Sequence, residues 1–187
     1  TATTFSTGLS SAFGVAINSS GILFVANRDN GTIYQANMST GTLTSFATGL
    51  GQPNDLTFNS SGDLFVSNFS LGTVTKITPG GTQSTYVSGL SSPVGLAFNP
   101  ITGALFVAQQ GSDSIAQVPV GGGSFTNFAT VSGPQYLTFA PSAIPEPSTY
   151  AAIAGAAALG LALWHRRRRV ATPSVVVAPV SSCSTPS

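Results

Sequence analysis

Charged side chains are scarce: they make up 6% of the 187 residues, against about a quarter in ordinary soluble domains. There is one cysteine (Cys183), one histidine (His165) and one glutamate (Glu146), and all three lie in the final quarter of the chain. Residues 1–143 therefore cannot build a disulfide, a thiolate or imidazole metal site, or a histidine-based catalytic triad from their own side chains. Their only basic residues are Arg28 and Lys76, set against Asp29, Asp55, Asp63 and Asp113. With so little positive charge there is no phosphate-binding surface, and nucleic acid is excluded as a partner. No phosphate loop or zinc-ligand spacing occurs.

Ser, Thr, Gly and Asn supply the polarity instead, a composition suited to short strands joined by turns. The chain repeats itself. Copies begin at Phe5, Phe46 and Tyr86, and a partial fourth at Phe128, giving spacings of 41, 40 and 42 residues. Equivalent positions recur in step: Gly21, Gly62 and Gly103; Leu23, Leu64 and Leu105; Val25, Val66 and Val107; Ile33, Val74 and Ile115. A period of about 41 residues with four β-rich runs per copy is the arithmetic of propeller blades. In the second copy the runs predict strand A at Leu56–Asn59, B at Asp63–Asn68, C at Thr73–Thr78 and D at Gln83–Val87. The Leu-Phe-Val triplets read as core between blades. The fourth copy supplies one A strand, Gln135–Ala140.

Three blades and a strand fall short of the roughly 4–8 blades that close a ring. The sequence starts at Thr1, with no initiator Met and no leader pattern. The expectation is a fragment, with about 100 residues of further blades upstream supplying partners for the lone A strand.

Pro93-Val94-Gly95-Leu96-Ala97-Phe98 and Gly103-Ala104-Leu105-Phe106-Val107-Ala108 resemble the blade pattern of NHL-repeat and gluconolactonase-like six-bladed propellers. That resemblance spans about residues 5–140 and speaks for fold alone, because this architecture hosts unrelated functions.

The texture changes after Phe139. Residues 142–149 form a linker containing Pro145-Glu146-Pro147-Ser148-Thr149, and residues 150–165 are uncharged. Arg166, Arg167, Arg168 and Arg169 follow, and residues 170–187 are rich in Pro, Ser and Val. As a helix, Tyr150–Trp164 spans about 22 Å, short of the roughly 30 Å hydrocarbon core. Interfacial Ser148, Thr149 and His165 with snorkelling arginines close the gap. A buried soluble helix would not carry four arginines in a row at its end. Arginine after the apolar run stops transfer and stays cytoplasmic, so the repeats face outward. The tail beyond Arg169 is expected to be disordered, and Cys183 reads as incidental.

The block from Ile144 to Arg169 closely resembles the PEP-CTERM protein-sorting signal, matching its proline-glutamate-proline core, apolar stretch and basic cluster in order. The resemblance implies recognition by a membrane-embedded cysteine protease of the exosortase type. It also implies a Gram-negative host that makes exopolysaccharide, transient anchoring in the inner membrane with the C-terminus cytoplasmic, and delivery to the cell surface or the medium. Bearers of the signal usually end at the arginines, whereas this chain continues.

The expected fold class is all-β: a partial β-propeller of three four-stranded blades plus one strand (residues 1–141), part of a six-bladed ring, with a single C-terminal transmembrane helix and a disordered tail. In a propeller the D–A and B–C loops share one face. Arg28, Asp29 and Asn30, Asn54 and Asp55, and Gln110 and Asp113 fall on that rim, while Asp63 falls on the opposite face. Asp29, Asn54, Asp55 and Asp113 are thus the candidate ligand rim. Asn54-Asp55 is similar to an Asn-Asp pair near the substrate pocket of gluconolactonase-like enzymes. Against this, Asn and Asp commonly cap turns and satisfy loop amides. The reading favours a non-enzymatic envelope or exopolysaccharide-associated protein with no catalytic residue, no metal ligand and no cofactor of its own, binding a polysaccharide or protein. The alternative is a secreted metal-dependent lactonase- or lyase-like enzyme that takes Ca²⁺ or another divalent ion and shares its site with blades upstream.

Overall fold

The computed structural model describes residues 7–139 and 175–177. Three antiparallel four-stranded sheets follow one another along the chain. The first holds β1 (Ala12–Ile17), β2 (Leu23–Asn27), β3 (Thr32–Ala36) and β4 (Leu43–Ala47). The second holds β5 (Pro53–Phe58), β6 (Leu64–Asn68), β7 (Thr73–Ile77) and β8 (Gln83–Val87). The third holds β9 (Pro93–Phe98), β10 (Leu105–Gln109), β11 (Ser114–Val118) and β12 (Thr126–Thr130). Each sheet is a meander in which only sequence neighbours pair, the form of a propeller blade. The expected B, C and D strands of the second copy lie within one residue of β6, β7 and β8. Strand A starts earlier than expected, at Pro53, because a bulge between Pro53 and Leu56 keeps the strand paired beyond the alternating run.

The first strands of successive blades, β1, β5 and β9, pack side by side, and β13 (Leu137–Phe139) packs against β9. At this inner edge side chains run out of room. A methyl on Gly14 would lie 2.5 Å from the Asn54 carbonyl oxygen, and one on Gly95 would lie 2.5 Å from that of Gln135. Glycine is required there by close approach of two backbones.

Between blades the core is aromatic. Phe24, Phe65 and Phe106, the middle residues of the three triplets, are each about 3% exposed or less. Each meets two other rings edge-on: one from the last strand of its own blade and one from the first strand of the next. Phe24 meets Phe46 and Phe58, with centroids 5.0 and 5.2 Å away. Phe65 meets Tyr86 and Phe98, both at 4.8 Å. Phe106 meets Phe128 and Phe139, at 4.9 and 5.2 Å. Centroid separations of this size with steep interplanar angles are the favourable edge-to-face geometry. The triplets are inter-blade core, as expected. On β1, Phe13, Val15 and Ile17 are 48%, 59% and 59% exposed.

The strand expected at Gln135–Ala140 is present as β13, but it has a partner. β14 (Val175–Val177) pairs with it antiparallel, Leu137 opposite Val177 and Phe139 opposite Val175. Of the tail expected to be disordered, only these three residues are described; β-branched residues favour strand pairing. Among the described residues no helix is long and apolar enough to cross a membrane. The expected transmembrane helix at 150–165 lies outside the described residues.

Phe65 is the hub of the second aromatic triad. Phe65→Ala should lower stability by about 3–5 kcal/mol, whereas Phe13→Ala should cost less than about 1 kcal/mol. Urea denaturation of the full chain, followed by circular dichroism, measures both.

Candidate functional site

The D–A links and the B–C loops do share one rim, and backbone hydrogen bonds join them. The Leu50 N–H donates to the Gly31 carbonyl and the Ser70 N–H to that of Gly51, so the link before β5 is tied to both flanking blades. The next link repeats the arrangement, with Leu90 donating to Gly72 and Gly111 donating to Ser91. Buried amides at the ends of two B strands reinforce it. Asn27 Oδ1 accepts the Ser11 N–H at 3.0 Å, and Gln109 Oε1 accepts the Ser91 N–H at 2.9 Å. The residue before each blade-opening proline, Gln52 and Ser92, is held at φ 53° and 47°, a left-handed conformation that the surrounding hydrogen bonds must maintain.

Asp55 sits on the inner edge of this rim, at the repeat position that Gly14 and Gly95 occupy in the other blades. Its side chain reaches the neighbouring blade. Oδ2 accepts the Leu96 N–H of β9 at 2.8 Å, while Oδ1 accepts the Leu56 N–H at 2.9 Å. The Asp55 N–H lies within the bulge and donates to Ser67 Oγ at 3.0 Å. The Ser67 hydroxyl, fully buried, donates in turn to the Val94 carbonyl of β9 at 2.6 Å. Ser67 stands where the other blades have Ala26 and Ala108. The two departures from the repeat therefore go together. Where Asp replaces Gly, Ser replaces Ala, and the pair makes two side-chain hydrogen bonds from blade two to the inner strand of blade three. Ser67 was not singled out from the sequence, although its departure from the repeated alanine was the available signal.

Burial, the larger effect, raises the Asp55 carboxyl above its ordinary value, and the N–H groups of Leu96 and Leu56 draw it back part of the way.

The other candidate rim residues do not converge with Asp55. Asp113 is exposed, lies at φ 48°, and accepts the Gly133 N–H at 2.8 Å, which fixes the approach to β13. Asn30 Nδ2 donates to the Tyr34 hydroxyl at 3.0 Å. Asp29 and Gln110 are exposed, and Asn54 is half-buried. The Arg28 guanidinium lies over two rings, 4.7 Å from the Phe13 centroid and 4.9 Å from that of Phe69, a cation–π sandwich. Among the described residues no three Asp, Glu, His or Cys side chains come together as metal ligands. A single carboxylate, whose oxygens each accept one backbone amide, is too small a donor set to hold a divalent ion by itself.

Asp63 lies on the opposite face, as its place near the A–B turn implies. It pairs with Lys76 at 2.8 Å and accepts from Asn59 Nδ2 at 3.3 Å. These groups line a cleft of about 570 Å³ between the second and third blades, with Tyr86 and Phe98 on its walls.

Nothing in this body specifies a destination for the protein; the C-terminal block does. Residues 143–169 match the PEP-CTERM protein-sorting motif. The motif marks an exported protein that carries a C-terminal signal for exosortase processing. Pro145 to Thr149 and Arg166 to Arg169 fall inside the match and outside the residues described structurally. A search of curated proteins gives no match. Among solved structures the body is similar to virginiamycin B lyase from Staphylococcus aureus, at 16% identity and a TM-score of 0.60, over 67% of this chain and 44% of that one. A gluconolactonase from Xanthomonas campestris is similar at 22% identity and TM-score 0.60, over 67% and 52%. A chain of the nidogen–laminin complex gives 20% and 0.62, over 69% and 52%. The chain spans about half the length of these structures. At such identities the likeness shows a β-propeller fold, as the repeats imply, and no more.

The pH dependence of Asp55 follows from its direction of shift. A folded-state value above the unfolded one means that the folded chain binds the proton more tightly. Stability from this group must then fall as pH rises from the ordinary value of 3.8 through the raised one. Asp55→Asn removes the titration. Across the acid range, denaturation midpoints should show wild type losing stability relative to Asp55→Asn as pH increases; parallel curves would refute the assignment.

Proposed function

We propose that this chain belongs to a sorted surface or secreted propeller protein, whose body is a non-enzymatic binding or structural component of the envelope or exopolysaccharide layer. The match at residues 143–169 carries the sorting half of the reading. The body half is supported by the use of its acidic residues: Asp55 joins two blades, Asp113 caps a loop, and Asp63 is paired with Lys76. The second reading, a metal-dependent lactonase- or lyase-like hydrolase completed by blades upstream, is favoured by the likeness of fold to such enzymes. In that reading Asn54 and Asp55 would serve the pocket with Ca²⁺ or another divalent ion.

For sorting, the sequence supplies its own logic. Export stalls at Ala151–Trp164 because Arg166–Arg169 resist translocation. Pro145-Glu146-Pro147 is then left just outside the bilayer, where two prolines disfavour helix and keep the segment extended for a protease cleft. The partner at this step is an exosortase-type protease, and the membrane anchor is transient. The mature protein ends near Pro147 or Ser148, at the cell surface or in the medium.

Mass spectrometry of surface and secreted fractions, from a host with the matching sorting enzyme, tests this. The expected result is a chain ending near Pro147, with Glu146→Ala retained uncut in the inner membrane. Peptides from Val170–Ser187 in the secreted fraction would contradict it.

A further inference from the structure

The cleft on the face opposite the rim is lined by the second and third blades, both of them full four-stranded sheets. Its volume, about 570 Å³, falls within the roughly 300–1,000 Å³ of small-ligand sites. The second blade supplies a charged wall. Lys76 and Asp63 pair at 2.8 Å, with side chains 35% and 14% exposed. The pair departs from the repeat: the matching positions hold Ile22 and Gln35 in the first blade, and Ala104 and Gln117 in the third. Asn59 fixes the carboxylate. Its Oδ1 accepts the Asp63 N–H at 2.9 Å, and its Nδ2 donates to Asp63 Oδ2 at 3.3 Å. Lys76 and Asn59 both contact Oδ2, so Asp63 keeps a second oxygen, Oδ1, for a further donor.

The third blade supplies an open donor. Asn99 lines the cleft and is only 9% exposed. Its Oδ1 accepts the N–H groups of Ile101 and Thr102, at 2.9 and 3.0 Å, and so shapes the turn. Its Nδ2 has no acceptor among the described residues. The reason lies in the repeat: the acid that takes the Asn59 amide is Ala104 at the matching position of this blade. Aromatic rings complete the lining. Tyr86 and Phe98 each stand edge-on to Phe65 at 4.8 Å, and the Tyr86 hydroxyl donates to the Pro119 carbonyl at 3.0 Å. The Gly123 N–H donates to the Tyr86 carbonyl at 2.8 Å, so this wall is held by both blades.

Such a lining selects by charge. An anion would meet the Asp63 carboxylate and compete with it for Lys76, and a cation would meet Lys76. An apolar ligand would cover the ion pair and leave Asn99 Nδ2 unsatisfied. A neutral molecule rich in hydroxyls suits every group: it donates to Asp63 and accepts from Asn99 and Lys76. The carbon-bearing face of a sugar ring packs against Tyr86 and Phe98. We propose that this cleft is a binding site for an uncharged oligosaccharide. The assignment rests on the reading of the body as a binding component and takes nothing from the sorting reading.

Titration calorimetry of the full chain in detergent tests it, with cellotetraose, mannotetraose and galactotetraose as neutral probes and tetragalacturonate as the charged control. At least one neutral probe should bind, and tetragalacturonate should bind about tenfold more weakly or not at all. Asn99→Asp keeps the oxygen that shapes the turn and removes the open donor. Asp63→Ala combined with Lys76→Gln gives the second blade the residues of the third. Each variant should weaken neutral binding about tenfold with an unchanged circular dichroism spectrum. Lys76 is the only lysine in the chain, so its acetylation reads the cleft without any mutation, and a bound neutral probe should slow it about tenfold. No binding of any neutral probe, or equal binding of tetragalacturonate, would overturn the ligand class. Neutral binding that leaves Lys76 acetylation unchanged, or that a folded variant does not weaken, would overturn this cleft as the site while the body remained a binding component.

Discussion

The inner strands of successive blades meet with almost no space between their backbones, and much of the local chemistry follows from that constraint. Gly14 and Gly95 satisfy it by having no side chain. Asp55 satisfies it differently, by sending a carboxylate across the gap to the Leu96 N–H, with Ser67 bonding to the Val94 carbonyl beside it. An acid in that position costs desolvation, which the raised Asp55 carboxyl records. Two amide N–H donors to the carboxylate offset part of the cost.

Further from the axis the gap widens and the filling changes from backbone to rings. Each B-strand phenylalanine bridges its own blade to the next by two edge-to-face contacts, repeated at three interfaces. The aromatic and β-branched residues that make the strands are thus also the residues that hold the blades together, which is why a body so poor in charge folds. Its few ionised groups are placed at the margins: Lys76 with Asp63 on one face, and Arg28 between Phe13 and Phe69 on the other. On the rim, Asp55 bonds to the amides of Leu56 and Leu96, and Asp113 to that of Gly133.

Most of the fold was legible because the period of about 41 residues aligns turns, triplets and inner strands, and a repeated pattern averages out local ambiguity. The early start of β5 was not legible, since the Pro53–Leu56 bulge breaks the alternation that marks a strand. Nor was β14, because three valines between prolines carry no periodic signal and form a strand only where an edge is offered. At the rim the sequence pointed to Asp55 as a candidate ligand. It could not show that both oxygens are taken by amides, because Leu96 is 41 residues away and meets Asp55 only through blade packing. The sorting block was legible because it is linear: its proline core, apolar run and arginines act in order along the chain, needing no fold to bring them together.

The central claim about the body is that Asp55 and Ser67 act as one unit to join two blades. A double-mutant cycle on the full chain, with Asp55→Gly, Ser67→Ala and the two combined, measures this directly by chemical denaturation. Each single change strands a partner: Ser67→Ala leaves the Asp55 N–H and the Val94 carbonyl without their side-chain partner, while Asp55→Gly leaves the Leu96 N–H without its acceptor. The combined variant carries the glycine–alanine pairing of the other two blades, whose inner strands close onto their neighbours with neither side chain present. β5 and β9 are expected to close in the same way once both side chains are gone, so that the combined variant costs about 1–3 kcal/mol less than the sum of the singles. Costs that add to within about 0.5 kcal/mol would show that the two residues act independently and contradict the account.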